Sequence, residues 1–437
     1  MDITTPSLRT ACADLNGQMR GKRLPARHAT QLEYSGQRMP LSVLTLDLWG
    51  ADIEDSPLVH ASGDADGQLR CTERGPVPMP WLPEPATLVP MWMYTDDGAP
   101  FDADPRHALA RVLSRYSKQG WKVIAATELE FTLVDDSGGA LDTVRSPMTG
   151  RPLTGQAINS VTALDSFAHF FDDLYDGAEA MGIQAQAAIS ESGLGQFEIN
   201  LDHGPAMRVA DDTWLFKSLV RGIARKHGMA ASFMAKPFDA DAGNGLHVHF
   251  SVLDDKKRNI FDNGHMTGSA VMKQAVAGCV AGMPGATLIF APNGNSYARM
   301  TPENHAPIGA SWGYENRTTA IRIPGGPPAA RRIEHRSAGG DTNPYLVMAA
   351  ILGTAIIGIE DGLSPPDPIL GNAYGQRILK CPTSWDDAID RFATSPRMTR
   401  VFRPRLVEML AMVKRQEQIK TNALSANDQI LSVFERV

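Results

Sequence analysis

The spacing of apolar and polar positions divides the chain into two parts. Up to residue 105, short apolar runs such as Leu41–Leu48 alternate with loops rich in Pro, Gly and Asp. The stretch from Pro76 to Pro90 is too proline-dense for a helix interior. This predicts a small β-rich domain over residues 1–105, with Leu41–Leu48 as one of its strands. An amphipathic helix is predicted next, His107 to Lys118, stopped by Gly120. Trp121–Val134 then predicts a long strand, and Ile183–Ile189, Gln196–Leu201, Ala231–Lys236 and Leu246–Leu253 predict shorter ones. Helices are predicted over Asp165–Met181, with Asp165 as N-cap and Gly182 past its end, and over Asp211–His227, ended by Gly228. Thr319–Ile323 and Arg331–Arg336 add short strands, followed by an apolar helix from Asn343. Strands in runs, with helices between the runs, predict an α+β class and a larger second domain over residues 106–437.

Composition narrows the function. The 437 residues are 43% hydrophobic and 21% charged, a globular balance. The formal net charge of -7 provides no basic field for a nucleic-acid backbone, so no nucleic-acid partner is expected. Cys12, Cys71, Cys279 and Cys381 are far apart, without zinc or redox spacing, and read as reduced thiols of a cytoplasmic protein. The N-terminus lacks a basic segment followed by an apolar run, so no secretory signal is expected. The longest apolar stretch, Tyr345–Ile359, is too short for a bilayer and carries Gly353 and Gly358; it reads as a buried helix, with no membrane association. No glycine-rich phosphate loop follows a strand, so any nucleotide must be held by another design.

Acids and imidazoles fall on three strand-like segments. Glu128 and Glu130 stand two apart and share a strand face, with Leu129 and Phe131 opposite. Taken alone, that pair is an ordinary solvated sheet face. Glu191 and Glu198 flank a Gly-containing turn that can return both to one point, although alone they too are unremarkable surface acids. His247, His249 and Ser251 have period two and follow Gly243-Asn-Gly245, where backbone can approach a ligand. Arg299, Arg317, Arg322, Arg331, Arg332 and Arg336 cluster with Glu334 inside the last group; guanidinium planes suit carboxylate and phosphate oxygens. Five glutamates and a histidine for hard cations, with arginines for anionic oxygens, describe two-metal phosphoryl transfer, with metal-dependent hydrolysis as the neighbouring reading.

Several short motifs in order carry a resemblance. They are Asp14-Leu-Asn-Gly-Gln-Met-Arg-Gly-Lys-Arg-Leu-Pro25, Glu128-Leu-Glu130, Gly195-Gln-Phe-Glu198, Phe233-Met-Ala-Lys-Pro237, the His247/His249/Ser251 strand, Asn316-Arg317, Arg322-Ile-Pro324, Arg332-Ile-Glu-His-Arg336 and Asn343-Pro-Tyr345. Over nearly its whole length the chain resembles the glutamine synthetase family, and within it the γ-glutamylpolyamine synthetase branch. The resemblance implies a β-grasp N-terminal domain and a larger α+β catalytic domain, with an antiparallel sheet and surrounding helices. It implies ATP and two or three Mg²⁺ or Mn²⁺ ions. Glu130, Glu191 and Glu198 would hold one ion near the acceptor and glutamate; Glu128, His247 and Glu334 would hold another on the ATP phosphates. His249 and Ser251 would contact nucleotide, Gly243, Gly245 and Arg299 the glutamate, and Arg336 the γ-carboxylate and transferred phosphoryl group. Arg317, Arg322 and Arg332 would contact phosphates, and Asp47 would serve the amine site of an adjacent subunit in a ring of six, as a hexamer or a dodecamer. No safe match to the family's adenylylated tyrosine is found; Tyr374 lies in the corresponding region with different surroundings.

Two departures concern the acceptor. His305 stands where ammonia-using members carry a flap glutamate, with Glu303 nearby but out of register, and Ala242 stands where they carry an asparagine. The expectation is therefore a ligase joining glutamate to a primary amine, with Asp47, then His305, then Glu303 as candidate bases. An ammonia-dependent glutamine synthetase and a catalytically silent relative are the alternatives.

Overall fold

The computed structural model describes residues 3–302, 306–434 and 436–437. Its N-terminal sheet is built from β1 (Ser7–Ala13), β2 (Met19–Pro25), β3 (Gln37–Pro40), β4 (Asp66–Cys71), β5 (Val77–Pro78) and β6 (Ala86–Tyr94). The order is β2-β1-β6-β4-β3, with β5 on β6. β1 and β6 run parallel, and the remaining pairs are antiparallel. Leu41–Leu48, expected as a strand, instead begins as a 3₁₀ helix over Leu41–Thr45. The Thr45 hydroxyl donates to the Ser42 carbonyl and the Ser42 hydroxyl to Asp64, local bonds that compete with a ladder. The chain then turns at Asp47, whose carboxylate accepts from the backbone N–H groups of Trp49 and Ala51.

The larger sheet comprises β7 (Lys122–Asp135), β8 (Asp142–Thr143), β9 (Ala185–Ser190), β10 (Gln196–Pro205), β11 (Ala230–Ser232) and β12 (Gly245–Leu253). Beyond β13 (Gly309–Ala310) it is completed by β14 (Trp312–Tyr314), β15 (Ile321–Ile323) and β16 (Ile333–Gly339). The order is β14-β15-β16-β12-β7-β10-β9, with β8 and β11 also on β7. β13 pairs separately with β17 (Leu379–Lys380). From Val123 to Phe131, β7 alternates strictly between buried and part-exposed positions. Leu129 and Phe131 thereby join the core with Phe170, Phe197 and Phe233, leaving Glu128 and Glu130 on the opposite face.

Helices pack against this sheet and one another. Asp104 caps the helix Pro105–Ser117, its carboxylate accepting from the N–H groups of Arg106 and His107. The expected helix Asp165–Met181 is two: Ser160 starts Val161–Asp165, and Ala168–Ala180 follows, so Asp165 ends a short helix rather than capping a long one. The expected strand Ala231–Lys236 shortens to β11, because Phe233–Lys236 leaves the ladder and Lys236 N–H donates to the Asn295 side chain instead. The apolar helix Pro344–Glu360 is capped by Asn343 and buried along nearly its whole length. It packs with helices Ala206–Lys226 and Ala270–Phe290. Among the described residues no helix is long and apolar enough to cross a membrane. One apolar cluster runs from β1 through both sheets to helix Pro404–Asn422, so the two parts share a core.

Candidate active site

Strand register builds the site. β7 lies between β12 and β10, so Glu128 stands opposite both His247 and Asn200, and Glu130 opposite Glu198. On the far side of β12, His249 stands opposite Glu334, which stands opposite Arg322. Residues paired across a ladder share a sheet face, so these acids and imidazoles converge on the face away from the phenylalanine core.

The distances are short. Glu128 bridges the imidazoles, 3.0 Å to His247 Nδ1 and 2.8 Å to His249 Nε2. His247 Nε2 lies 4.0 Å from a Glu130 oxygen. Two groups of donor atoms each lie within 4.8 Å of one another: Glu128 with His247 and Glu334, and Glu130 with Glu198 and His247. The first is the expected trio. In the second, His247 takes the place expected of Glu191, which stays outside the group yet interacts electrostatically with Glu130.

These acids are not equally content. Burial, then the charges of Glu128, Glu130 and Glu191, push the Glu198 carboxyl up to about 9. Burial and Glu130 push Glu191 up to about 7. Glu334 goes the other way: burial opposes its charge, but His249 and Arg336 outweigh it and hold it at about 2. Carboxylates buried together without matching cations carry an electrostatic cost that divalent ions remove. The donor set of oxygens with one shared imidazole therefore fits Mg²⁺ or Mn²⁺.

On one flank is a cavity of about 730 Å³ lined by Glu128, His249, Ser251 and Arg332. Three of these were expected at the nucleotide. Asn200, Asp202 and His203 also line it and were not foreseen; Asn200 could have been found, since it is two residues from Glu198 on one strand. Arg332 Nε approaches His249 Nδ1 at 3.3 Å. Arg322 does not line this cavity: it binds Glu334 at 2.7 Å and Glu315 at 3.1 Å. Arg331 is buried on the Pro324 and Gly326 carbonyls, where it shapes the Pro324–Pro327 turn.

On the other flank, Gly245 N–H donates to Glu130 at 2.6 Å. A Cβ at Gly245 would stand 2.7 Å from Arg299 Nη2, and one at Gly243 would stand 2.3 Å from the Ala235 carbonyl oxygen. Glycine is therefore required at Gly243, against backbone, whereas at Gly245 a Cβ would displace the tip of Arg299, a buried side chain that donates to the Ser337 carbonyl. Gln196 ties the two glycine loops together, donating to the Gly243 carbonyl at 2.9 Å and accepting from Gly193 N–H at 2.9 Å. Its signal was its place inside Gly195-Gln-Phe-Glu198. Arg336 binds Glu334 at 2.5 Å, and Arg317 stands exposed at the rim, where its charge reaches Glu191.

Asp47 is not gathered with the others. It is fully buried and ion-paired to Lys420, and it accepts from Gln416 Nε2 at 2.9 Å. Burial opposes its charge, but bonds from Lys420, Gln416 and Ala51 outweigh it and hold the carboxyl below its ordinary value. His305 and Glu303 lie outside the described residues.

Comparison with known proteins places the chain in a family. The family model for the glutamine synthetase catalytic domain matches residues 102–430. The γ-glutamylputrescine synthetase of Escherichia coli (strain K12) is 35% identical over 421 residues, covering 95% of this chain and 89% of the relative. The glutamate–isopropylamine ligase of a Pseudomonas species is 31% identical over 447 residues, covering 96% and 93%. A solved structure described as a novel glutamine synthase homolog superposes with a TM-score of 0.86 at 24% identity, covering all of both chains; that likeness speaks to fold alone. The chain belongs to the glutamine synthetase family and is a ligase of the glutamine synthetase type.

Proposed function

We propose that this protein joins the γ-carboxylate of L-glutamate to a primary amine, using ATP and passing through a γ-glutamyl phosphate. The observation that carries the reading is the acid face between a nucleotide-sized cavity and a glycine loop backed by Arg299. Glu128, His247 and Glu334 would hold one divalent ion, and Glu130 and Glu198 another, with His247 within reach of both and Glu191 acting on Glu130 from outside the group. Bound there, the ions supply Lewis acidity to phosphoryl oxygens. Ser251, His249 and Arg332 receive the nucleotide, Arg299 and the Gly243–Gly245 backbone orient glutamate, and Arg317 and Arg336 neutralise charge on the transferred group.

The amine must attack unprotonated, and an alkylammonium resembles lysine, with a pKa of about 10.4. A base is needed. With Asp47 committed to Lys420 and Gln416, we assign this role to His305, whose imidazole titrates nearest neutrality, ahead of Glu303.

An amine larger than ammonia is favoured by His305 and Ala242, and by relatives named for putrescine and isopropylamine. Phosphate release with ammonia, methylamine, putrescine, spermidine and an aromatic amine tests this; preference for ammonia refutes it in favour of a glutamine synthetase. Failure to bind both Mn²⁺ and ATP in calorimetry would make the protein a silent relative. The reading extends to six-membered rings, checked by sedimentation, and to a cytoplasmic location.

A further inference from the structure

A tyrosine that the proposed reaction does not use lies on a loop tied to the segment carrying Arg317, and feels the charges of Arg336 and Arg299. Tyr374 sits on the 3₁₀ turn Ala373–Gly375 within an otherwise exposed loop. The loop is pinned by polar bonds. Asn372 Oδ1 accepts from Tyr374 N–H at 2.9 Å, Ala373 N–H donates to Thr318 Oγ1 at 2.9 Å, and Asn316 Nδ2 donates to the Gly371 carbonyl at 2.7 Å. These bonds tie it to the loop that carries Arg317.

The side chain is oriented against the usual habit of tyrosine. A half-buried tyrosine ordinarily keeps its ring covered and its hydroxyl wet. Here the ring is half-buried while the hydroxyl oxygen is fully buried, without a hydrogen-bond partner among the described residues. The charges acting on that phenol are Arg336 first and Arg299 second. Arg336 Nε is likewise buried and unpartnered. Buried donors are almost always satisfied, and two unsatisfied donors, one of them on the arginine whose charge acts most strongly on the other group, call for an acceptor beyond the described residues.

We propose that Tyr374 is a substrate-contacting residue whose hydroxyl donates a hydrogen bond to a γ-carboxylate oxygen of glutamate, beside Arg336. The assignment rests on the ligase reading above and names a donor at the reacting end of its substrate. Arg336 supplies charge; Tyr374 supplies direction, from a loop already fixed before substrate arrives.

Tyr374→Phe removes one oxygen that has no partner among the described residues. The expected result is a KM for glutamate raised about tenfold, since a buried bond to a charged group is lost. The KM for ATP and the melting temperature of the ligand-free protein stay at wild-type values. Inhibition by L-norvaline, which keeps the α-amino acid and lacks the γ-carboxylate, is also unchanged. A glutamate KM within about twofold of wild type, a lowered ligand-free melting temperature, or equal weakening of norvaline overturns the assignment. Wild-type protein that releases no phosphate with glutamate and any amine overturns the ligase reading, and is distinguished because it is read before any variant is compared.

Discussion

On the open face of the larger sheet, Glu128, Glu130, Glu191 and Glu198 crowd together, and the last two are pushed up to about 7 and about 9 by burial and by neighbouring carboxylates, Glu130 first for Glu191 and Glu128 first for Glu198. Where helix Pro404–Asn422 meets the N-terminal part, charge is buried more deeply still, and Lys414 and Glu417 are both partnered. Lys414 and Glu417, each 1% exposed, pair at 2.8 Å; Asn16 Nδ2 donates to Glu417 at 2.7 Å, and Lys414 also reaches Asn293. The difference separates a tie from a site. Balanced buried charge specifies how two parts of a chain meet, whereas unbalanced buried charge waits for something the chain does not contain.

The largest expected effect lies on the acid face, at a carboxylate that arginines already match. Glu334→Gln removes a proposed metal donor and loosens Arg322 and Arg336 together, and should lower kcat by on the order of 10²–10³ with the fold retained by circular dichroism. A loss below about fivefold would mean that the acid face is not the reaction centre.

Next comes the balanced side. Lys414→Met strands Glu417 and should cost about 3–5 kcal/mol in urea unfolding, while Lys414→Met with Glu417→Leu recovers most of it. Catalysis by the folded fraction should be retained. A drop in kcat that the double variant fails to repair would erase the contrast drawn here.

A smaller effect compares the same face with and without cations. Burial and the neighbouring carboxylates push the Glu198 carboxyl up from an ordinary 4.5 to about 9. Across that window the folded state holds more protons than the unfolded chain, so stability is present at low pH and is lost as pH rises. With a chelator, the melting temperature should fall by on the order of a few °C between about pH 5 and pH 8; Mn²⁺ should flatten that slope. An unchanged slope would show that Mn²⁺ does not neutralise these acids.

Asp47→Asn gives the smallest effect. Lys420 is 42% exposed, so losing the pair should cost about 1 kcal/mol or less, and the acidic limb of kcat/KM against pH should stay in place. A displaced limb would return Asp47 to the role of base.

Much of the site was legible because it lies on strands. Period two put Glu128 with Glu130, and His247 with His249 and Ser251, before any neighbour was known. Other local readings failed where side chains rewrote the backbone. Leu41–Leu48 has the composition of a strand, but the Thr45 hydroxyl closes on the Ser42 carbonyl across a 3₁₀ turn while the Ser42 hydroxyl donates to Asp64. Helix Ala270–Phe290 carries Pro284 in its interior, and neither it nor Pro404–Asn422 was read from the apolar pattern, although Lys414, Glu417 and Lys420 all come from the latter.

The chain by itself determined which residues share a face, where the glycines permit close approach, and to which family it belongs. Each of these depends on near neighbours along the backbone. Only the tertiary structure decided that β12 and β10 flank β7, that His247 belongs to both donor groups, that Asp47 is claimed by Lys420, and that the Tyr374 hydroxyl points inward. Strand order, register and burial are set by packing between segments distant in sequence, and that competition leaves no periodic signature in any one of them.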